Sequence, residues 1–305
     1  MIRDEPRTGP SALTLLKETA KAWSEDDAMR LSAALAYYSV FSIAPILIIA
    51  ISIAGAVFGE EAARGAIESQ LAGAIGRDAA MAVEGMIEGA RESGKNGIMA
   101  VLGSAILVFS ASGLFSQLKD AMNAIWEIEP AKGAGVMAFI RGRAMSISMV
   151  LVIGFLLLVS LVLSASVAAT TGYLERLFPV PGFVWQLGSF VITMLVVTLL
   201  FAMIFKILPD AEIGWRDVWA GAILTAALFS IGKLLLGLYL GRDEAASTYG
   251  AAGALVLLLS WVYYSANILL FGAEFTQVSA RLSGRQIEPA KGASRVARLT
   301  SPSAT

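Results

Sequence analysis

Few residues in this chain could do chemistry, and they sit in apolar surroundings. The 305 residues include no cysteine and no histidine. That removes thiolate nucleophiles, imidazole bases and the usual zinc ligands. Carboxylates, hydroxyls, amides and ammonium groups remain. In one long apolar stretch Ser260, Tyr264, Asn267, Phe271 and Glu274 recur at intervals of 4, 3, 4 and 3, which places them on one helical face. Such a face points into a bundle or a wet cavity rather than at lipid. Lys233 is the one charge inside Val218–Gly241, about 12 Å from the end of that stretch at about 1.5 Å rise per residue. A third group joins Ser39 and Ser42 with Tyr38 beside them and Pro45 beyond, and a fourth joins Ser112, Ser116, Asp120 and Asn123. In a cavity Lys233 would attract an anionic group, Tyr264 and Asn267 would orient it, and Glu274 would gate it or carry a proton. Each residue also has a plainer role. Lys233 can snorkel to an interface and Asn267 can bond a neighbouring helix. Glu274 can pair with Arg281 at a span end, and Asp120 and Asn123 can tie loops to Lys206 or Arg216. No catalytic set, metal site or cofactor site is expected.

The elements that must position these groups are membrane helices. The composition is 57% hydrophobic and 15% charged, with a mean hydropathy of +0.71, too apolar to cover a water-soluble core. The distance between successive charges marks the spans, since about 20 apolar residues cross the hydrocarbon core. Leu31–Gly59, Asn96–Leu118, Ala144–Leu174, Leu177–Phe205 and Ala245–Ala273 are uncharged, and Val218–Gly241 holds only Lys233. The fold class is thus an all-α integral membrane protein, with six transmembrane helices and amphipathic interfacial helices. Placing both termini in the cytoplasm puts 16 Lys and Arg inside and six outside, as the positive-inside rule asks. The polar, mixed-charge first 30 residues do not read as a cleavable signal.

Three segments follow. Residues 1–30 form a cytoplasmic amphipathic segment with Leu13, Leu16 and Trp23 among charges. Residues 31–280 form the six-helix domain. Within it an outer helical cap spans about 60–95, where Ile67, Leu71 and Ile75 form one stripe and Val83, Met86, Ile87 and Ala90 another. Residues 281–305, rich in Ser, Gly, Arg and Lys, read as a disordered basic cytoplasmic tail. Trp126, Trp185, Trp215 and Trp219 lie near span ends, as an aromatic belt requires. Gly55-x3-Gly59 and Gly237-x3-Gly241 allow close backbone approach, read as packing within one chain rather than a dimer contact.

Several segments together resemble the YihY/BrkB family of bacterial inner-membrane proteins. They are Leu31-Ser-Ala-Ala-Leu-Ala-Tyr-Tyr-Ser-Val-Phe-Ser-Ile-Ala-Pro45, Ser112 through Trp126, Leu208-Pro-Asp210 leading to Trp219-Ala-Gly221, and Ser247-Thr-Tyr-Gly through Phe271-Gly-Ala-Glu-Phe275. The resemblance implies a six-helix protein of the inner membrane. Members have carried two labels, a tRNA-processing ribonuclease BN and a serum-resistance virulence factor. RNA cleavage needs a base and an acid, or metals. Here there is no His, and the cytoplasmic acids Asp120, Glu127, Glu129, Asp210, Glu212 and Asp217 are scattered along the chain.

The expectation is therefore a transporter or translocator of a lipid or small amphipathic or anionic solute, working through a polar cavity. The alternative is a non-catalytic scaffold or envelope-integrity factor. Its partners would be membrane lipids, a lipid or small-solute substrate, and a periplasmic partner at the outer cap. No nucleic-acid partner is expected, and the ribonuclease is the least favoured reading.

Overall fold

The computed structural model describes residues 11–75, 77–92, 112–130, 182–240, 250–285, 287–290 and 292–296. Helix α1 is Ala12–Glu25, opened by Ser11, whose hydroxyl accepts from the Thr14 amide as a helix cap does. Helix α2 is Ala28–Phe58 and carries Pro45 in its interior. Helices α3 (Glu60–Ile75) and α4 (Arg77–Glu92) follow. Helix α5 is described over 112–125, then strand β1 (Ile128–Pro130). Helix α6 is Gly182–Ile207, β2 Ala211–Glu212, α7 Trp215–Leu240 and α8 Gly250–Leu282. Two short strands close the described chain, β3 (Glu288–Pro289) and β4 (Ala293–Arg295).

Four of these helices contain stretches long and apolar enough to cross a membrane: Ala28–Ser52, Phe190–Ile207, Trp215–Leu235 and Leu255–Leu282. They match four of the six expected windows. The window Ala144–Leu174, and Asn96–Leu118 up to residue 111, lie outside the described residues. The outward face of α6 carries exposed Phe183, Leu187, Phe190, Val191 and Leu195. In water that face would be an unstable patch, whereas beside acyl chains it is a matching solvent.

Helix α8 is the hub. It packs against α7, α2, α1, α3 and α4, while α6 packs mainly on α7 and brings Phe205 against Gly272 of α8. The core divides between the two ends of the bundle. At one end Ala44, Leu47 and Ile51 of α2 meet Val83 and Ile87 of α4 and Leu258 and Trp261 of α8. The α3–α4 hairpin thus caps this end, as the two apolar stripes predict, with Ile67, Leu71 and Met86 packed against the cluster. Arg64 clamps the hairpin by reaching Glu84 at 2.9 Å and Glu88 at 3.2 Å. At the opposite end Met122 and Ile125 of α5 join Phe205, Ile213, Val218 and Leu270.

The seam between α7 and α8 is built from small residues. A Cβ on Gly221 would fall 1.9 Å from Thr276 Oγ1 and 2.5 Å from the Gly272 carbonyl oxygen, and one on Gly272 would fall 1.7 Å from Thr225 Oγ1. Each threonine turns its hydroxyl back to the glycine four residues earlier on its own helix: Thr225 donates to Gly221 O at 2.7 Å and Thr276 to Gly272 O at 2.8 Å. Two Gly-x3-Thr units therefore interlock, each glycine receiving the other helix's threonine. Without water to compete, such close backbone approach is how membrane helices gain contact energy. Farther along, Gly232 gives its face to the Tyr264 ring, whose hydroxyl donates to Leu228 O at 3.3 Å.

The glycine pairs expected to pack helices behave differently. Gly55 lies 3.2 Å, measured from a built Cβ, from the Glu60 Cα, and Gly59 ends α2 at φ +88°. That pair closes the α2–α3 turn, where a left-handed residue needs glycine. Gly237-x3-Gly241 runs into 241–249, outside the described residues.

Candidate functional site

The end of the bundle that lacks the α3–α4 cap is held by polar clasps. Asn123 of α5 grips Asp210 twice, its Nδ2 donating to the carboxylate at 3.1 Å and its Oδ1 accepting the Asp210 amide at 2.8 Å. Lys119 adds an ion pair to Asp210 at 2.8 Å, and the Asp210 carbonyl accepts from the Ala290 amide at 2.9 Å. One aspartate thus joins α5, the α6–β2 turn and the C-terminal segment. Lys206 donates to the Ile213 carbonyl. Asp217, at the start of α7, pairs with Arg285 at 3.0 Å.

Residues 287–296, assigned by composition to an unstructured tail, carry two antiparallel ladders instead. Strand β4 pairs with β1, placing Arg295 opposite Ile128, and β3 pairs with β2, placing Pro289 opposite Ala211. Composition misleads here because the ladder bonds are main-chain bonds, which any residue but proline can donate. Residues 297–305 lie outside the described residues.

Between these clasps and the α1–α2 turn lies a cavity of about 380 Å³, lined by Asp26, Asp120, Asn123, Ala124, Glu127, Ile128, Glu129 and Val296. Two of the acids sit at sharp turns. Asp26 directly precedes Asp27, which turns the chain between α1 and α2 at φ +52°, and Glu127 ends the α5 turn at φ +54°. The Glu127 carbonyl accepts from the Val296 amide at 2.8 Å, so the C-terminal strand fixes that wall. Partial burial lifts the Asp120 carboxyl above its ordinary range; Lys119 pulls it back and Asp210 pushes it further up.

Behind this wall stands Glu274, fully buried. Its oxygens find no N–H donor among the described residues, and the Asp26 carboxyl stands within side-chain hydrogen-bond reach. The charged groups that face it are Asp26, Arg281 and Glu127. The interfacial pairing with Arg281 expected as its plainer role is not what the structure shows: Arg281 is exposed while Glu274 is sealed in.

The other sequence-selected residues do not converge on one chamber. Lys233 is exposed on the flank of α7 beside Ile231, Leu234 and Leu235. Tyr264 stacks on Trp261 with centroids 6.0 Å apart. Asn267 donates to Tyr263 O of its own helix at 2.8 Å, and its Oδ1 is buried without a partner among the described residues. Ser39 and Ser42 are buried, Ser39 donating to Leu35 O at 2.8 Å, whereas Tyr38 faces outward beside Tyr37. Asp120 and Asn123 do reach the cavity. The loop ties run from Lys119 and Asn123 to Asp210, rather than from Asp120 and Asn123 to Lys206 or Arg216. Trp126, expected in an aromatic belt, is core, while Trp215 and Trp219 are exposed. The side chain of Trp185 lies outside the described residues.

Sequence reading overlooked Asp26 as a member of the site. It also saw Glu127 and Glu129 only as scattered acids, because their neighbours come from α1, α5 and the C-terminal strand. The acids do gather, yet no three among the described residues are close enough to hold one metal ion.

The Virulence factor BrkB family matches residues 19–297 of this chain. A UPF0761 membrane protein of Rhodospirillum centenum is 24% identical over 282 residues, which cover 90% of this chain and 60% of that protein. One from Ralstonia nicotianae is 26% identical over 87% of this chain and 58% of its own length, and one from Pseudoalteromonas translucida is 25% identical over 82% and 81%. The chain thus spans only about three fifths of the first two of these relatives. No solved structure matches it.

Proposed function

The chain belongs to the Virulence factor BrkB family, and from that premise we propose that it is an inner-membrane translocator for a lipid or small amphipathic solute, loaded through the acid-lined cavity. The observation that carries this reading is the juxtaposition of that cavity with Glu274, a carboxyl fully buried beside the Asp26 carboxyl at one end of an apolar bundle. A packed scaffold gains little from a desolvated carboxyl set against a second carboxyl. A translocator does, because such a group changes its surroundings when the bundle rearranges. The same end gathers the basic segments around Lys119, Lys206, Arg216, Arg281, Arg285 and Arg295, so we place it in the cytoplasm by the positive-inside rule. Both termini then lie inside, and the α3–α4 hairpin faces the periplasm. The anionic preference drawn from Lys233 is set aside, since that residue stands outside the cavity.

The test is reconstitution of the purified chain in liposomes with an acyl-chain-labelled phosphatidylethanolamine and an impermeant quencher. Translocation quenches probe beyond the outer-leaflet fraction, and Glu274→Gln slows that phase. Quenching at the protein-free rate sinks the transport reading. Loss of cellular function on removing α3–α4, with cavity variants unimpaired, would favour the scaffold and its periplasmic partner instead.

A further inference from the structure

We propose that Glu274 and Asp26 form a proton-binding site, in which one proton is held between the two carboxyls and joins α1 to α8. This rests on the reading above and deepens it by naming the ion that the buried carboxyl takes and the residue that shares it. Glu274 is wholly buried and finds no N–H donor among the described residues, while the Asp26 carboxyl stands within side-chain hydrogen-bond reach. An ionised carboxylate only accepts. A hydrogen bond between two carboxyls therefore exists only when one of them carries a proton to donate. Two negative charges at that separation in an apolar wall repel strongly, so the pair bears one charge rather than two.

The neighbouring charges do not replace that proton. Among the described residues the charged groups that face Glu274 are Asp26 beside the α1–α2 turn, Glu127 at the end of α5 and Arg281 on its own helix. Glu127 is another acid. Arg281 is exposed, so solvent screens its charge. The backbone fixes the pair. Thr19 and Ala22 are buried where α1 packs on α8, and the Asp26 amide closes the helix by donating to Ala22 O at 2.9 Å. Asp27 then turns the chain at φ +52°. Asp26 thus touches both compartments, since it lines the cavity and also faces Glu274. Cavity water protonates Asp26, and transfer along the hydrogen bond leaves the proton on Glu274; the reverse order returns it to water. Without the proton, two carboxylates face each other between α1 and α8 and push these helices apart.

Infrared difference spectroscopy of the full chain in nanodiscs tests this. At neutral pH the wild type should show the carbonyl band of a protonated carboxylic acid, shifted in heavy water and lost in alkali. Glu274→Gln should remove the band, because the glutamine amide donates to an ionised Asp26. Asp26→Asn should remove it too, because the asparagine amide then donates to an ionised Glu274. Asp120→Asn should leave it, which separates the pair from the other cavity acid. Absence of the band from the wild type overturns the proposal whatever the variants do. Persistence of the band in Asp26→Asn also overturns it, since burial alone would then protonate Glu274 with no shared proton. Loss of the band in Asp120→Asn alone assigns it to the cavity wall and overturns it likewise. The band is read without flux. A chain that shows it but moves no lipid keeps this inference and loses the transport reading, and a chain that moves lipid without it does the opposite.

Discussion

Gly221→Ala isolates the α7–α8 seam. The added Cβ would sit 1.9 Å from Thr276 Oγ1, 3.2 Å from Thr276 Cβ and 2.5 Å from the Gly272 carbonyl oxygen. The hydroxyl can rotate away, at the expense of its 2.8 Å bond to Gly272 O. The carbonyl cannot, because it belongs to the facing helix backbone. Restoring a C···O contact of about 3.3 Å requires the helices to part by about 0.8 Å, which forfeits a substantial fraction of each dispersion contact along the seam. Overpacking of this kind costs about 1–3 kcal/mol, offset by about 1 kcal/mol of improved helix propensity when Gly becomes Ala. Gly65→Ala in α3 is the matched control, since nothing lies within 4 Å of its Cβ position; it gains the propensity and pays no clash. The two identical chemical changes should therefore differ by about 2 kcal/mol in opposite directions. Thermal unfolding in detergent, followed by circular dichroism, measures this. Equal melting temperatures for the two variants would refute the interlock.

Four further outcomes are expected. Glu274→Met should raise thermal stability by about 1–3 kcal/mol, by removing a desolvated carboxyl buried beside Asp26, while abolishing lipid quenching in the liposome assay. Asp210→Ala should lower stability by about 2–4 kcal/mol, since the Lys119 ion pair and the Asn123 carboxylate bond go together, with loss visible as protease cleavage near residues 208–213. For Asp120 the sign runs toward acid: its folded-state pKa is raised, so the native chain binds the extra proton and stability rises as pH falls through that raised value; Asp120→Asn should flatten that part of a melting-temperature profile between pH 4 and 7. Because the chain has no cysteine, single cysteines report sidedness cleanly, and an impermeant maleimide should label Glu68→Cys from the periplasm and Ser294→Cys only after the membrane is opened.

Hydropathy made four of the helices and the cap legible. The period of 3.6 and the absence of charge are local properties, written within about 20 consecutive residues. The apolar stripes at Ile67 and Leu71, and at Val83 and Ile87, predicted a hairpin that packs. The site was legible only in fragments. Asp120 and Asn123 were marked by their stripe, but their neighbours Asp26 and Val296 arrive from far along the chain, and no periodicity encodes such a meeting. Lys233 misled because a lone charge in an apolar window signals burial only if the helix turns it inward. The Gly232 side of α7, pressed on Tyr264, faces in, and Lys233 follows it outward. The Gly221-x3-Thr225 and Gly272-x3-Thr276 units do carry a readable signal, a small residue and a hydroxyl one turn apart on two helices. The more familiar glycine pairs obscured it.

The ladder between Ile128–Pro130 and Ala293–Arg295 sets an order of assembly. A ribosome delivers the first strand before α6, α7 and α8 have been made, and the second only after all three. Until then the Glu127 carbonyl has no Val296 amide to accept from and Glu129 no Ser294 opposite it, so that wall of the recess is unfixed. Completion of the recess is thus deferred until α6, α7 and α8 have been made, and a half-synthesised chain carries only part of its walls.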